Sequence, residues 1–231
     1  MSPCWLSTSR VSLSVYVSKP KTSNDTSASP HGRILVLSAP SGGGKSTLAQ
    51  KVAASIGGIV RSVTYTTRPK RPGEINGRDY HFISQEEFVL RRRAGEFLES
   101  ATVHGHLYGT SRPDVVRLCA QGLDVLLLID CQGAAALRQQ GLDALYIFIL
   151  PPSLAALEQR LRQRNSDNEA ALRTRLAVAP TEIAQYQRYD YIIVNDDLES
   201  ATQQLQAIIV ADRCRLERLD RRYPIFSELD G

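Results

Sequence analysis

The sequence predicts an α/β protein: a parallel sheet core flanked by helices, with a small mixed α/β lobe inserted into it. Four short apolar runs, at 34–37, 125–129, 144–150 and 191–194, lack alternation and end at turn residues or charges, as strands buried on both faces do. Helical stretches at 113–121, 132–140, 153–163, 169–187 and 198–218 fall between and after them, and strand alternating with helix builds a parallel sheet. Between Arg61 and Tyr108 this rhythm stops, which marks the insertion.

Residues 1–31 are rich in Ser and Thr, with Asp25 their only acid and Arg10 their only arginine. Three readings stay open for them: a disordered tail, an organelle transit peptide, or an upstream mistranslated start. The dispensable tail is favoured. The stretch 11–17 alternates like a strand, but nothing adjacent would cover it. From Arg33 the apolar run Ile34-Leu35-Val36-Leu37 leads into a glycine-rich loop and a helix expected over 47–56. A second strand follows, then the inserted lobe with strand-like stretches at 62–67 and 79–83 and a helix at 85–93. A polar gap, 164–169, divides two arginine-rich helices, and Ser166 with Glu169 has the spacing of a capping box.

The length, 231 residues, suits one α/β domain with inserted lobes. Near-average composition argues against a wholly disordered chain, and the longest apolar runs fall far below the ~18 residues of a membrane span. Cys4, Cys119, Cys131 and Cys214 are scattered, and only His104 and His106 lie close among the histidines. That argues against a disulfide framework or zinc cluster and for a reducing compartment. The net charge is +4, and five of the 28 basic residues are lysine. Arginine grips phosphate in a planar fork. Composition by itself permits a nucleotide or nucleic-acid partner, and codon bias explains an arginine excess equally well.

Position decides. Strand, then Ser38-Ala39-Pro40-Ser41-Gly42-Gly43-Gly44-Lys45-Ser46-Thr47, then helix, is the context a P-loop requires. Its glycines let consecutive N–H groups turn inward around phosphate oxygens, and the helix N-terminus points at the same anion. Lys45 reaches the β- and γ-phosphates in such a loop, and Ser46 offers a hydroxyl to Mg²⁺. Ala39 stands where the general pattern has Gly. A merely flexible turn would not need strand before, Lys-Ser at this spacing and helix after, so this is a nucleoside-triphosphate site. In the lobe, residues 64–80 gather hydroxyls, guanidinium groups and a phenol. Arg68 and Arg71 bring two forks and Tyr80 a donor, a set able to surround a phosphate dianion.

These blocks closely resemble guanylate kinase, from about residue 34 to residue 213. The resemblance rests on the P-loop, on Thr66-Thr67-Arg68 through Gly73-Glu74 to Asp79-Tyr80, and on Glu96-Phe97-Leu98-Glu99. It rests further on Tyr108-Gly109-Thr110, Ile129-Asp130-Cys131-Gln132-Gly133 and Val194-Asn195-Asp196-Asp197. It implies a P-loop kinase domain over 32–215, with a core of 32–61 and 110–215. A GMP-binding lobe of about 62–109, a short helical lid of about 160–176 and a C-terminal tail of 216–231 complete it. The implied reaction moves the γ-phosphate of ATP, accompanied by Mg²⁺, to GMP or dGMP. Thr64, Arg68, Arg71, Tyr80 and Tyr108 are implied to hold the GMP phosphate, with Glu74 in the same block, and Glu99, Thr110 and Asp130 to read guanine. One carboxylate can accept the adjacent N1–H and N2–H₂ of guanine, which adenine lacks, and a hydroxyl such as Thr110 can donate to O6. Arg160, Arg164 and Arg175 are implied to surround the transferring group, and Asn195 to meet the adenine edge.

Five positions depart from the family pattern: Thr64 for Ser, His106-Leu107 for Asn-Tyr, Leu128 for an acid and Asn165 for Gly. A scaffold module of the same fold would carry a degraded P-loop. A kinase for another phosphorylated acceptor would not need Glu99 and Thr110. A nucleic-acid partner lacks an aromatic-interleaved basic stripe to bind it. The expected partners are ATP and GMP or dGMP, with neither nucleic acid nor membrane, in the cytoplasm.

Overall fold

The computed structural model describes residues 32–103, 105–163, 169–219, 225 and 228. Strand β1 (Ile34–Ser38) leads through the glycine loop into α1 (Lys45–Ser55), and β2 (Ile59–Arg61) follows. The lobe holds β3 (Tyr65–Thr66), β4 (His81–Phe82), α2 (Gln85–Arg93), β5 (Phe97–Val103) and β6 (His106–Ser111). The chain then returns through α3 (Arg112–Ala120), β7 (Asp124–Leu128), α4 (Cys131–Gln139) and β8 (Leu145–Leu150). Helices α5 (Leu154–Gln163) and α6 (Glu169–Ile183), a 3₁₀ turn (Ala184–Arg188), β9 (Tyr191–Val194), α7 (Leu198–Arg213) and α8 (Leu216–Leu219) complete it.

Two sheets result. The core sheet runs β2-β7-β1-β8-β9 with every pairing parallel. The lobe sheet is mixed and runs β4-β3-β6-β5. β1 is apolar on both faces because both are covered. Leu35 and Leu37 pack with Leu48 and Val52 of α1 and with Leu205 and Ile209 of α7. On the other face Val36 packs with Val125 and Leu127, Val115 of α3 and Leu137 of α4. Each such side chain, fully buried, contributes about 1.5–3 kcal/mol.

Helix starts follow from local chemistry. Ser84 caps α2 by accepting the Glu87 N–H, with Glu86 and Glu87 in the first turn and Arg91, Arg92 and Arg93 in the last, an order that suits the helix dipole. Ser111, Asp130 and Asp197 cap α3, α4 and α7 in the same way. In the lobe, Phe88 stacks on Phe97 and Tyr65 on His81, a small aromatic core that α2 covers.

Several expectations need correction. β9 is the sheet's edge, so only Ile193 is buried while Tyr191, Ile192 and Val194 are exposed, unlike a strand covered on both faces. The helix expected to end at 187 gives way at Ile183 to the 3₁₀ turn, and the one expected over 198–218 breaks at Cys214 and Arg215. Within the lobe the paired strands shrink to Tyr65–Thr66 and His81–Phe82, while the β5–β6 hairpin was not among the strands expected. Arg218, assigned from sequence to a tail, belongs to an ion cluster at the base of the sheet. There Asp124 and Asp212, both buried, meet Arg33, Arg213 and Arg218. Residues 1–31, Arg164 and Ser166, the expected capping residue, lie outside the described residues.

Candidate active site

The carboxyl ends of parallel strands carry the site, as open α/β sheets dictate. The glycine loop follows β1, Asp130 follows β7 and Asn195 follows β9. Gly42 and Gly44 adopt φ of 88° and 94°, which an L side chain resists. A Cβ on Gly44 would also come within 2.2 Å of the Asn195 amide. Gly43 closes the turn by donating to Pro40 O at 2.9 Å. The loop so shaped aims the α1 N-terminus, which no side chain caps, into the cleft.

A cavity of about 250 Å³ opens there. Residues 39–46 line one end, with Ser41, Lys45 and Ser46 among them; Thr64, Tyr80, Glu99, Tyr108 and Asp130 line the other, and Arg175 and Glu182 flank the loop. Lys45 Nζ donates to Ile129 O at 2.7 Å, and burial lowers its pKa despite the opposing pull of Asp130, Cys131, Glu182 and Glu99. Arg175 Nη1 lies 3.4 Å from Ser41 Oγ.

At the lobe end, side chains hold one another. Glu99 is 6% exposed and accepts the Thr110 hydroxyl at 2.6 Å. Burial pushes its carboxyl up to about 7; the Thr110 hydrogen bond opposes this and the nearby Asp130 charge adds to it. Asp130 accepts the Gly133 N–H at 2.8 Å. A Cβ on Gly133 would sit 2.7 Å from Glu99 Oε2, so only glycine lets the carboxylate approach α4 this closely. Tyr80 and Tyr108 meet edge to face at 6.0 Å, and Arg68 lies over Tyr80 with its guanidinium 5.3 Å from the ring centre.

Some expected residues stand one layer back from the cavity. Arg68 is buried and paired to Glu74 at 2.6 Å, while Glu74 also accepts the Arg71 N–H at 2.8 Å. Burial disfavours the Glu74 charge, but Arg68 and the Arg71 N–H outweigh it and hold the carboxyl below its ordinary pKa. Glu74 therefore holds the Arg68 guanidinium and the Arg71 backbone, and the Arg71 side chain is exposed. Thr110 has one hydroxyl proton, and it is committed to Glu99, so donation to a base O6 does not fit this arrangement. Asn195 is buried behind the loop, where its amide donates to Gly43 O at 2.9 Å. Arg160 in turn donates to Asn195 O at 2.8 Å. Both brace the loop from behind; neither lines the cavity. Ser38 is buried beneath it, with its hydroxyl 3.5 Å from Asp130 O, and Thr47 is exposed on α1.

Leu128, at the position where the family pattern has an acid, also lines the cavity, leaving Asp130 as the acid of that strand end. Two residues that sequence reasoning missed are Glu182 and Gly133. The first sits in an ordinary helix and carries no motif; the second was part of a quoted block, but its packing against Glu99 arises only in three dimensions.

The family model for guanylate kinase matches residues 31–212. A guanylate kinase of Desulfotalea psychrophila is 47% identical over 195 residues, 84% of this chain and 96% of that protein. One of Symbiobacterium thermophilum is 49% identical over 189 residues, covering 82% of this chain and 90% of its own. The crystal structure of guanylate kinase from Anaplasma phagocytophilum aligns with a TM-score of 0.67 at 35% identity, over 84% of this chain and 97% of that one. P-loop, lobe and sheet order thus accord with an extensive sequence match, and the chain belongs to the guanylate kinase family.

Proposed function

We infer that this chain transfers the γ-phosphate of ATP to GMP, and to dGMP, giving ADP and GDP or dGDP, as a step of purine nucleotide metabolism in the cytoplasm. The observation that carries the reading is a single cavity with a glycine loop and Lys45 at one end and a buried carboxylate, Glu99, at the other. A phosphate cradle at one end and a base-reading carboxylate at the other suit a phosphate donor and a mononucleotide acceptor meeting between them.

The nucleophile is an oxygen of the GMP phosphate, already anionic near neutral pH, so no side-chain base is required. The bond from that oxygen to the γ-phosphorus forms as the bond from the γ-phosphorus to the β–γ bridging oxygen breaks, and ADP leaves with that electron pair. What remains for the protein is alignment and charge stabilisation. Lys45 leaves the Ile129 carbonyl for the β- and γ-phosphates, and Arg175 and Arg164 neutralise the transferring group from the lid. The loop N–H groups and the α1 N-terminus hold the triphosphate. Asn195 and Arg160 act by bracing the loop.

Thr64, Tyr80, Tyr108, Arg68 and Arg71 take the GMP phosphate, with Glu74 orienting the Arg68 guanidinium and fixing the backbone at Arg71. Glu99 accepts guanine N1–H and N2–H₂, with Thr110 and Asp130 steadying it. Adenine has neither N1–H nor an amine at C2, so the same buried carboxylate would be left unpaired against it, and discrimination of about 10⁴-fold is expected. No group of three or more His, Cys, Asp or Glu side chains that could cage a cation occurs among the described residues. The exposed Ser46 hydroxyl at the start of α1 suits a Mg²⁺ that arrives with ATP, and that ion supplies charge neutralisation of the phosphates. The lobe, about 62–109, and the lid, about 160–176, close over the two substrates and exclude water.

A coupled assay of ADP formation from ATP and Mg²⁺, run against GMP, dGMP, AMP, CMP and UMP, tests the reading. Turnover with GMP and dGMP is expected, with AMP slower by orders of magnitude. No turnover with GMP, or equal rates with AMP, would contradict it.

A further inference from the structure

Among the described residues, Glu182 is the one ionisable side chain lining the cleft that the reaction above does not use. It lies in the last turn of α6, where no basic residue stands. A negative charge there opposes the helix dipole, so the helix itself gives no reason for it. Pro180, two residues earlier, lacks the N–H that would tie this turn into the helical ladder. The contacts of Glu182 instead lead outward. Its Oε2 accepts the Ser41 N–H at 3.2 Å, and its backbone carbonyl lies 3.8 Å from the Cys131 thiol at the start of α4. The favourable field comes from across the cleft, from Lys45 and the α1 N-terminus.

Arg175 stands seven residues earlier on the same helix, two turns away and therefore on the same face. It too reaches Ser41, through the hydroxyl at 3.4 Å. One loop residue is thus held at its N–H by Glu182 and at its side chain by Arg175. We propose that Glu182 is a positioning residue for phosphoryl transfer: by accepting the Ser41 N–H it docks the end of α6 on the P-loop and so holds Arg175 at the triphosphate. The proposal rests on the ATP-dependent reading above and adds to it a coupling between loop and lid helix. It requires an acceptor oxygen at position 182, not a charge.

The full-length chain is compared as wild type, Glu182→Ala, Glu182→Gln, Arg175→Ala and the double variant Glu182→Ala/Arg175→Ala, with melting temperature as the check on folding. Calorimetric titration with ATP and Mg²⁺ in the absence of GMP is expected to show weakening of roughly three- to tenfold for Glu182→Ala, the size of one lost hydrogen bond. Glu182→Gln, whose amide oxygen still accepts, stays close to wild type. In turnover, kcat falls by about tenfold for Glu182→Ala with KM for GMP unchanged, and the double variant is no slower than Arg175→Ala. Where Glu182→Ala lowers the melting temperature, Glu182→Met, of similar length and without an acceptor, makes the same comparison. Equal losses for Ala and Gln, additive losses in the double variant, or tighter ATP binding on removal of the carboxylate would overturn the proposal. A chain that binds ATP but does not phosphorylate GMP would instead overturn the function, and the ATP affinities would still judge Glu182.

Discussion

The two ends of the cleft are built from different materials. At the P-loop end the inward-facing groups belong largely to the backbone: residues 41–44 turn through Gly42 and Gly44 at positive φ, and side chains such as Asn195 brace them from behind. At the lobe end they are side chains from separate strands and loops, satisfied by one another: Arg68 by Glu74, Glu99 by Thr110. A backbone cradle recognises phosphate, which every nucleotide carries. Side chains buried in mutual pairs recognise one base, because a partner lacking the right donors leaves a charge unpaired. The lobe end is therefore where specificity resides and where protonation is felt.

Removing the one cationic side chain of the loop probes the first end. Lys45→Ala is expected to lower kcat by about 10²–10³-fold with little change in KM for GMP, the size of losing one preorganised charge from the transition state. Steady-state kinetics in both substrates measure this, and a loss confined to KM for GMP would erase the proposed division of labour.

Acidity probes the second end with a smaller effect. The Glu99 carboxyl, raised to about 7, is largely protonated below that pH, and guanine needs it ionised to accept two N–H groups. Affinity for GMP is thus full well above pH 7 and declines as pH falls through it. KM for GMP should rise by about fivefold between pH 7 and 6 from this carboxyl, steepening toward the limiting tenfold per unit, about 1.4 kcal/mol, at lower pH. The GMP phosphate titrates near pH 6 as well, so Glu99→Gln supplies the control: its KM is higher and flat between pH 8 and 7. An equal pH response in wild type and Glu99→Gln would remove Glu99 from the account.

The same contrast explains what the sequence made legible. The core sheet and P-loop follow from short-range rules: apolar runs, helical spacing, and glycines with Lys45 and Ser46 at fixed offsets. β9 was found to the residue because its run of apolar side chains is unbroken, but its edge position was hidden, since edge and interior strands read alike until neighbours are counted. In the lobe, resemblance drew attention to Arg68, Glu74, Glu99 and Thr110, yet not to how they pair. The meeting of Glu99 with Thr110, and of Glu99 with Gly133, is set by the hairpin and by the packing of α4, which no local pattern encodes. Asn195 and Arg160 were expected at the nucleotide because motif membership does not tell a contact from a brace. Glu182 had no motif, and its significance arises only where α6 meets Ser41.

We propose that the buried carboxylate at position 99 confines this kinase to guanine mononucleotides. The ratio of kcat/KM for GMP to that for AMP, measured in wild type and Glu99→Gln, tests it most directly. A ratio of about 10⁴ is expected in wild type, and a collapse by at least a hundredfold in Glu99→Gln that comes from lost GMP efficiency. A ratio near one in wild type, or one unchanged by Glu99→Gln, would contradict it.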